Sequence, residues 1–174
     1  IVVSAMALDP SKGKDAKSGD YSAYVYVAMD REGMLWVDAN LDRRPTPKMV
    51  DDGIVLYRQW KPMAFAVEIN AYQELLGGEF RRAAAIEHMM LPLFGINNTS
   101  PKVVRIRMLG PYLAQRRMRF KSGSPGARLL VQQLKDFPHG QFDDGPDGAQ
   151  QALVMLGHLQ GQRAARDQPR VLRA

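Results

Sequence analysis

Hydrophobic residues are spaced along this chain in patterns that predict strands first and helices later. Residues 1–9 (IVVSAMALD) form an apolar run that is typical of a buried strand and ends in an acid. Residues 21–29 and 34–39 read as two strands on either side of the turn DREG at 30–33, which predicts a β-hairpin. We therefore expect three consecutive strands arranged as an antiparallel meander.

After the meander, helical and strand patterns alternate. Apolar residues spaced three and four apart predict helices, and short apolar runs predict strands. The predicted helices are residues 46–60, 70–84, 101–116, 127–137 and 146–160. The predicted strands are residues 63–68, which end in an acid, residues 86–94, and a small strand at 118–120. This order predicts an α/β fold in which a mixed β-sheet, the three-strand antiparallel meander plus parallel strands, is flanked by α-helices.

The length and composition of the chain are typical of one folded domain. Its 174 residues can bury a sizeable core, and we expect a domain at 1–160 followed by a basic C-terminal tail at 161–174. No apolar run reaches the roughly 18–20 residues that cross a bilayer, so we expect no membrane partner. The absence of cysteine excludes disulfides and thiolate metal sites. Any metal should be a hard cation held by oxygen.

Four acidic residues lie at strand ends or helix starts, where a cleft could gather them. Asp9 ends the first strand and Glu68 ends the fourth, and sites collect at the carboxyl ends of strands in such folds. Asp144 and Asp147 stand near the start of the final helix, three residues apart and so on one face. Crowded carboxylates repel one another unless a cation neutralises them, so the set predicts a Mg²⁺ or Mn²⁺ site. Two such ions about 4 Å apart could hydrolyse a phosphodiester.

Most of these acids also have a purely structural explanation. Asp9 precedes Pro10, and Asp before Pro is common in turns. Asp144 can cap the final helix, and Asp147 in its first turn is favoured by the helix dipole. Glu68 fits the structural explanation least well, because Glu is a weak turn-former and a poor strand residue. The structural and metal-binding explanations of Asp144 and Asp147 are compatible.

Positive charge is concentrated in the middle of the chain, whose net charge is +6 overall. No acidic residue occurs between Glu87 and Asp136. The basic residues of this segment are Lys102, Arg105, Arg107, Arg116, Arg117, Arg119, Lys121, Arg128 and Lys135. A segment of one sign attracts a polyanion, and the alternative is a solvated helix face. The chain has neither a G-x-S-x-G elbow nor a P-loop, which disfavours a serine hydrolase and a P-loop ATPase.

Four segments, taken in order, resemble the nuclease domain of the large terminase subunit of tailed bacteriophages. They are ALDPSKGKDAKSGDYSA, AVEINAYQELL, PKVVRIRMLGPYLAQRRMRF and FPHGQFDDGPDGAQQAL, and the similarity spans nearly all of residues 5–160. Their order and spacing carry the resemblance, since no single motif is highly specific. The resemblance implies a ribonuclease H-like (resolvase-like) fold. It also implies a metal-dependent endonuclease that cuts concatemeric double-stranded DNA during packaging in the host cytoplasm.

Matching motifs imply roles for individual residues. Asp9, Glu68 and Asp144 match the catalytic metal ligands, and Asp147 matches the further acid of the D-x-x-D pattern in related junction resolvases. Asp20 matches a recurrent position without a clear role. Gly148 departs from the family, which usually has Ala there, and this leaves the register of the helix open. Together with the basic segment, the resemblance gives five expected DNA-backbone contacts, which are Lys102, Arg105, Arg116, Arg117 and Arg119.

The resemblance also implies partners beyond double-stranded DNA. A P-loop ATPase motor domain is expected before Ile1 in the full-length chain, and a portal and a small terminase subunit are expected in the packaging assembly. We expect weak sequence preference, because phosphate contacts position a duplex without reading its bases. Two other hypotheses are a branch-specific Holliday-junction-type resolvase of the same fold and a non-catalytic DNA-binding or docking module. In the latter, the acids would only be caps and turn-formers.

Overall fold

Six strands form one mixed sheet in the computed structural model of the chain, which describes residues 1–10, 21–68 and 71–167. Within these ranges, nothing is described of the side chains at 71–75 and 164–167. Asp20 therefore lies outside the described residues, as does the end of the predicted tail at 168–174.

The first three strands form the predicted antiparallel meander. They are β1 (Val3–Asp9), β2 (Ser22–Met29) and β3 (Leu35–Asp42), and β2 pairs antiparallel with both of the others. The remaining strands are β4 (Ala64–Glu68), β5 (Leu93–Ile96) and β6 (Met118–Phe120). Each of these adds in parallel, β4 to β1, β5 to β4 and β6 to β3, so the order is β5-β4-β1-β2-β3-β6. The prediction of a mixed sheet flanked by helices is confirmed.

Helices cover both faces of the sheet. They are α1 (Thr46–Trp60), α2 (Ala71–Ile86), α3 (Lys102–Arg107), α4 (Gly110–Ala114), α5 (Pro125–Asp136) and α6 (Asp144–Asp167). On one face, Tyr24 and Phe65 of the sheet pack with α1 and α2. On the other face, Ala5, Ala7 and Val25 pack with α6. Within the described ranges, no helix has the length and apolar content needed to cross a membrane.

One predicted strand is displaced, and two predicted helices differ in extent. Of the predicted strand at 86–94, only Leu93 and Phe94 lie in a strand, because α2 continues to Ile86 through three consecutive alanines, which favour helix, and β5 spans Leu93–Ile96. The predicted helix at 101–116 is two short helices, with Pro111 in the first turn of α4, where its missing N–H costs nothing. The final helix is longer than predicted, running to Asp167 and into the segment expected to be a tail.

The close approach of α5 to β3 gives a test of the packing on the α6 face. A Cβ atom at Gly126 would overlap the backbone carbonyl of Ala39, and backbone cannot move aside as a side chain can. We expect Gly126→Ala to lower the free energy of unfolding by about 1–3 kcal/mol, measured by urea denaturation. Gly157→Ala in α6 is the matched control, because its added methyl group would have no described atom within 4 Å apart from its chain neighbours and the nearby backbone of its own helix. Equal effects of the two substitutions would contradict this packing.

Candidate metal centre

The sheet topology brings two strand-end acids to one edge of the molecule. The parallel pairing of β1 with β4 places Leu8 opposite Val67, so Asp9 and Glu68 follow at neighbouring strand ends. Both acids continue the alternation that sends Ala7 and Ala66 into the core beneath α6. Their carboxylates therefore lie on the face of the sheet that α6 covers.

The start of α6 completes the acidic group. Asp147 lies in the first turn of this helix, which packs across β1 and β2. One carboxylate oxygen from each of Asp9, Glu68 and Asp147 lies within 4.8 Å of the other two. Gly148 allows the close approach, since a Cβ atom there would come within 3.0 Å of the Val25 side chain. A glycine at position 148, where the resemblance predicted Ala, therefore allows α6 to pack closely against β2.

Burial makes this group electrostatically costly. The side chain of Asp147 is only 2% exposed and that of Asp9 12%. Burial raises the pKa of the Asp9 carboxyl to about 8, Lys102 opposes this shift, and the carboxylates of Asp147 and Asp144 add to it. A site of this kind favours a cation, because positive charge relieves both the repulsion and the lost hydration.

Lys102, the first residue of α3, places its ammonium group among the carboxylates. Its Nζ atom lies 2.8 Å from Asp143 Oδ1, 3.2 Å from Asp9 Oδ2, 3.4 Å from Asp144 Oδ1 and 3.9 Å from Asp147 Oδ2. Burial by itself lowers the pKa of Lys102, but these carboxylates raise it well above its usual range. Lys102 therefore carries a full positive charge within the acidic group.

Arg105, one turn further along α3, binds Asp147 with both arms of its guanidinium. Its Nη2 atom donates to Asp147 Oδ2 at 2.6 Å and its Nε atom donates to Oδ1 at 3.2 Å. A third hydrogen bond, from Nη1 to the Ser100 carbonyl at 2.8 Å, holds the other side of the group. Such a bidentate pair fixes the carboxylate in one orientation. Arg105 thus positions Asp147.

The other three basic residues predicted to hold DNA lie away from the acidic group. Arg116 and Arg119 are exposed. Arg117 is half-buried, donates to the Gly33 carbonyl at 2.7 Å through Nη2, and stacks over Tyr112. The five residues therefore divide into a pair bound to carboxylates and a separate group near β6. DNA binding by any of them stays a prediction.

Sequence reasoning missed three contributors to the site. Asp143 accepts the shortest contact from Lys102, and the backbone N–H of Tyr21 donates to Asp144 Oδ2 at 3.1 Å. Gln151 is fully buried, and its Nε2 atom donates to Glu68 Oε2 at 3.4 Å. The spacing of Gln151, four residues after Asp147 on the same helix face, was a usable signal. Nothing local marks Tyr21, because it acts through its backbone.

The donor set fits a divalent cation. Asp9, Glu68 and Asp147 offer carboxylate oxygens, which are the ligands that Mg²⁺ and Mn²⁺ prefer. Asp144, the fourth predicted ligand, is not part of this group of three, and its Oδ1 atom accepts a hydrogen bond from Lys102 at 3.4 Å. Among the described residues, none donates a hydrogen bond to the buried Oε1 atom of Gln151, which leaves an oxygen acceptor in the wall of the site. Three of the four predicted ligands thus lie within 4.8 Å of one another, and metal binding by them stays a prediction.

Comparisons with known proteins identify the fold. No protein-family model matches the chain, and no curated protein sequence matches it either. The structure is similar to the large terminase of bacteriophage HK97, with a TM-score of 0.60 and 13% identity over 89% of this chain and 40% of that one. It is also similar to the Fowlpox virus resolvase, solved with Holliday junction DNA, with a TM-score of 0.54 and 10% identity over 90% and 99%.

At these identities the likeness concerns the fold alone. The mixed sheet, its helices and both structural neighbours assign the chain to the ribonuclease H-like fold. The prediction of this fold is confirmed.

Proposed function

We propose that this chain is a divalent-metal-dependent DNA endonuclease. The observation that carries the proposal is the convergence of Asp9, Glu68 and Asp147 from three distant stretches of sequence within 4.8 Å. Caps and turn-formers have no reason to converge, whereas ligands of a shared cation must. The basic middle of the chain supplies the attraction for a polyanion, and the fold is shared with a resolvase solved with DNA.

The residues of the site have two proposed roles: some would bind the metal, and others hold these ligands in position. Asp9, Glu68 and Asp147 would hold the metal, with Asp144 as a further ligand. A bound divalent cation would activate a water molecule and stabilise the alkoxide that leaves the phosphodiester, and a second ion would share these tasks. Arg105 keeps Asp147 in one orientation, and Gln151 donates to Glu68 from the wall of the site. Lys102 neutralises part of the acidic charge.

The finer proposal is that this nuclease serves a viral DNA-packaging terminase and cuts concatemeric double-stranded DNA in the host cytoplasm. It is supported by the motif order seen in the sequence and by the similarity to the HK97 large terminase. The chain spans 40% of that terminase. The ATPase motor, the portal and the small terminase subunit are partners under this proposal.

A second candidate function is a resolvase that cuts four-way DNA junctions. The observation that favours it is the extent of the likeness to the Fowlpox virus resolvase, which this chain covers over 99% of its length. The two functions differ in substrate rather than in metal site. Cleavage of a four-way junction at rates well above those on a linear duplex with the same arm sequences would favour the resolvase. Comparable rates would favour the terminase nuclease.

The proposed activity is tested by nicking of supercoiled plasmid. We expect open-circular and then linear DNA in millimolar Mn²⁺ or Mg²⁺ and intact plasmid in excess EDTA, because the acids need their cation. The assay should span Mn²⁺ up to about 10 mM, a range that also covers weak metal sites. Ca²⁺, which also prefers oxygen ligands but coordinates more loosely, is the matched metal control.

Two outcomes would contradict the proposal of a metal-dependent endonuclease. Cleavage that persists undiminished in EDTA would show that metal ligation by these acids is not the basis of activity. DNA binding without cleavage at every Mn²⁺ concentration would support the non-catalytic DNA-binding module instead.

A further inference from the structure

A groove lies on the face of the sheet opposite the acidic group formed by Asp9, Glu68 and Asp147. It has a volume of about 620 Å³ and lies where β3 and β6 meet the end of α1. Trp36, Val37 and Asp38 of β3 line it, although Val37 also belongs to the core on the α6 face, as does Ala39. The groove is therefore separate from the proposed metal centre and has to be explained on its own.

Aromatic rings dominate one wall of this groove, and their orientation is fixed. Trp60 packs on Tyr26 with ring centroids 5.7 Å apart, and its Nε1 atom donates to Asp38 Oδ2 at 3.3 Å. Trp36 is 48% exposed, yet its Nε1 atom donates to Asp30 Oδ2 at 2.8 Å. A single exposed aromatic residue needs no explanation. Here both indole N–H groups are anchored, and the exposed Trp36 ring is held in place for stacking.

Positive charge borders the same rings. Arg119 pairs in register with Trp36 across β3 and β6 and is exposed. Its side chain has no hydrogen-bond or ion-pair partner among the described residues. Lys121 binds Asp38 at 2.8 Å, and its side chain remains 55% exposed. Aromatic faces beside exposed cationic groups are the combination that binds single-stranded nucleic acid, in which bases stack and phosphates contact the cations.

We propose that this groove binds unpaired bases of single-stranded DNA by stacking on Trp36, with Arg119 and Lys121 contacting the phosphates. The inference rests on the proposed DNA partner and not on catalysis. A duplex cannot use the groove in this way, because its base faces already stack on one another. The groove would therefore hold a displaced or unwound strand, on the other side of the sheet from the proposed cleavage site.

The two tryptophans of the chain both line the groove, so intrinsic fluorescence reports its occupancy directly. We expect a thymidine oligomer to quench the tryptophan emission of the 174-residue chain in EDTA, where no metal-dependent cleavage occurs. An abasic oligomer of equal length should quench little, because it offers phosphates without bases. Affinity measured separately by anisotropy of the labelled thymidine oligomer should fall at least about fivefold in Trp36→Ala.

Charge variants separate stacking from general attraction. We expect Arg119→Gln to weaken binding of the thymidine oligomer and to reduce its salt dependence. Arg82→Gln is the matched control, because Arg82 is also exposed but lies on α2, outside both the groove and the basic middle of the chain. It should leave the affinity nearly unchanged.

Several results would overturn the assignment. These are no quenching by the thymidine oligomer, equal quenching by the abasic oligomer or by a duplex, and unchanged affinity in Trp36→Ala. Emission that changes with protein concentration in the absence of DNA would instead identify a second copy of the chain as the occupant. Plasmid cleavage and oligomer quenching are independent readouts, so failure of the nuclease proposal would not be mistaken for failure of this one.

Discussion

Replacing Asp9 by Asn should abolish metal-dependent plasmid cleavage while leaving the fold intact. The amide keeps the shape of the carboxyl group but removes the negative charge that a divalent ligand needs. Loss of a partner outside the direct ligands commonly costs about 10–100-fold in metal affinity or activity, so loss of a direct ligand should cost more than about 100-fold. The measurement is the initial rate of nicking in Mn²⁺, with circular dichroism and the thermal midpoint recorded on the same preparation.

Asp136→Asn is the control for this experiment. Asp136 is an exposed acid on α5 that binds Gln132, and removing its charge should leave the nicking rate unchanged. Glu68→Gln and Asp147→Asn should behave like Asp9→Asn, because all three share the proposed cation. A folded Asp9→Asn protein that nicks plasmid at the wild-type rate would contradict the proposed metal centre.

Replacing Lys102 by Met should destabilise the metal-free protein and increase its response to Mn²⁺. The substitution keeps most of the side-chain volume but leaves Asp9, Asp143, Asp144 and Asp147 without their shared counter-charge. Breaking a fully buried ion pair costs about 3–5 kcal/mol, and the one-third exposure of Lys102 reduces this to roughly 2 kcal/mol. The thermal midpoint should fall by about 4–8 °C.

Added Mn²⁺ should reverse this loss, because a divalent cation supplies the missing positive charge. A ligand that binds only the folded state stabilises it according to its concentration and affinity, so the variant should gain more in thermal midpoint than the wild-type protein. Lys135→Met is the matched control, since Lys135 is exposed on α5, away from the acids. Equal midpoints of Lys102→Met and wild-type protein in EDTA would refute the role of Lys102 as the resident counter-charge.

The local sequence pattern predicted secondary structure correctly where a segment's structure depends mainly on its own residues. The β2–β3 hairpin was predicted because two strand patterns flank a turn, and α1 was predicted from its apolar spacing. The same approach failed at residues 86–94. There the apolar run MMLPLF contains no information on the position of its neighbour β4, and the pairing of Leu93 with Phe65 near the start of β4 sets the start of β5. Strand limits of this kind depend on partners that are distant in sequence.

In the candidate site, too, some residues could be identified from local sequence, whereas others depend on contacts between distant segments. Asp9 and Glu68 could be selected from sequence because each closes an apolar strand, and the motif order added Asp144 and Asp147. Lys102 and Arg105 were expected to face DNA. In the structure both contact carboxylates, because α3 packs against α6, and their contact with DNA stays a prediction. Gln151 and the backbone of Tyr21 enter the site because α6 packs across the sheet.

By itself, the sequence determined the antiparallel meander, the alternation of helix and strand that follows it, and the positions of acids at strand and helix ends. These properties depend on neighbours within a few residues, and periodicity and turn chemistry encode them. Only the tertiary structure decided that Asp147 completes the group formed by Asp9 and Glu68, and that a lysine sits among them. It also placed Trp36 and Arg119 side by side on the opposite face. These contacts follow from strand order and helix packing, which bring together residues that are far apart in the chain.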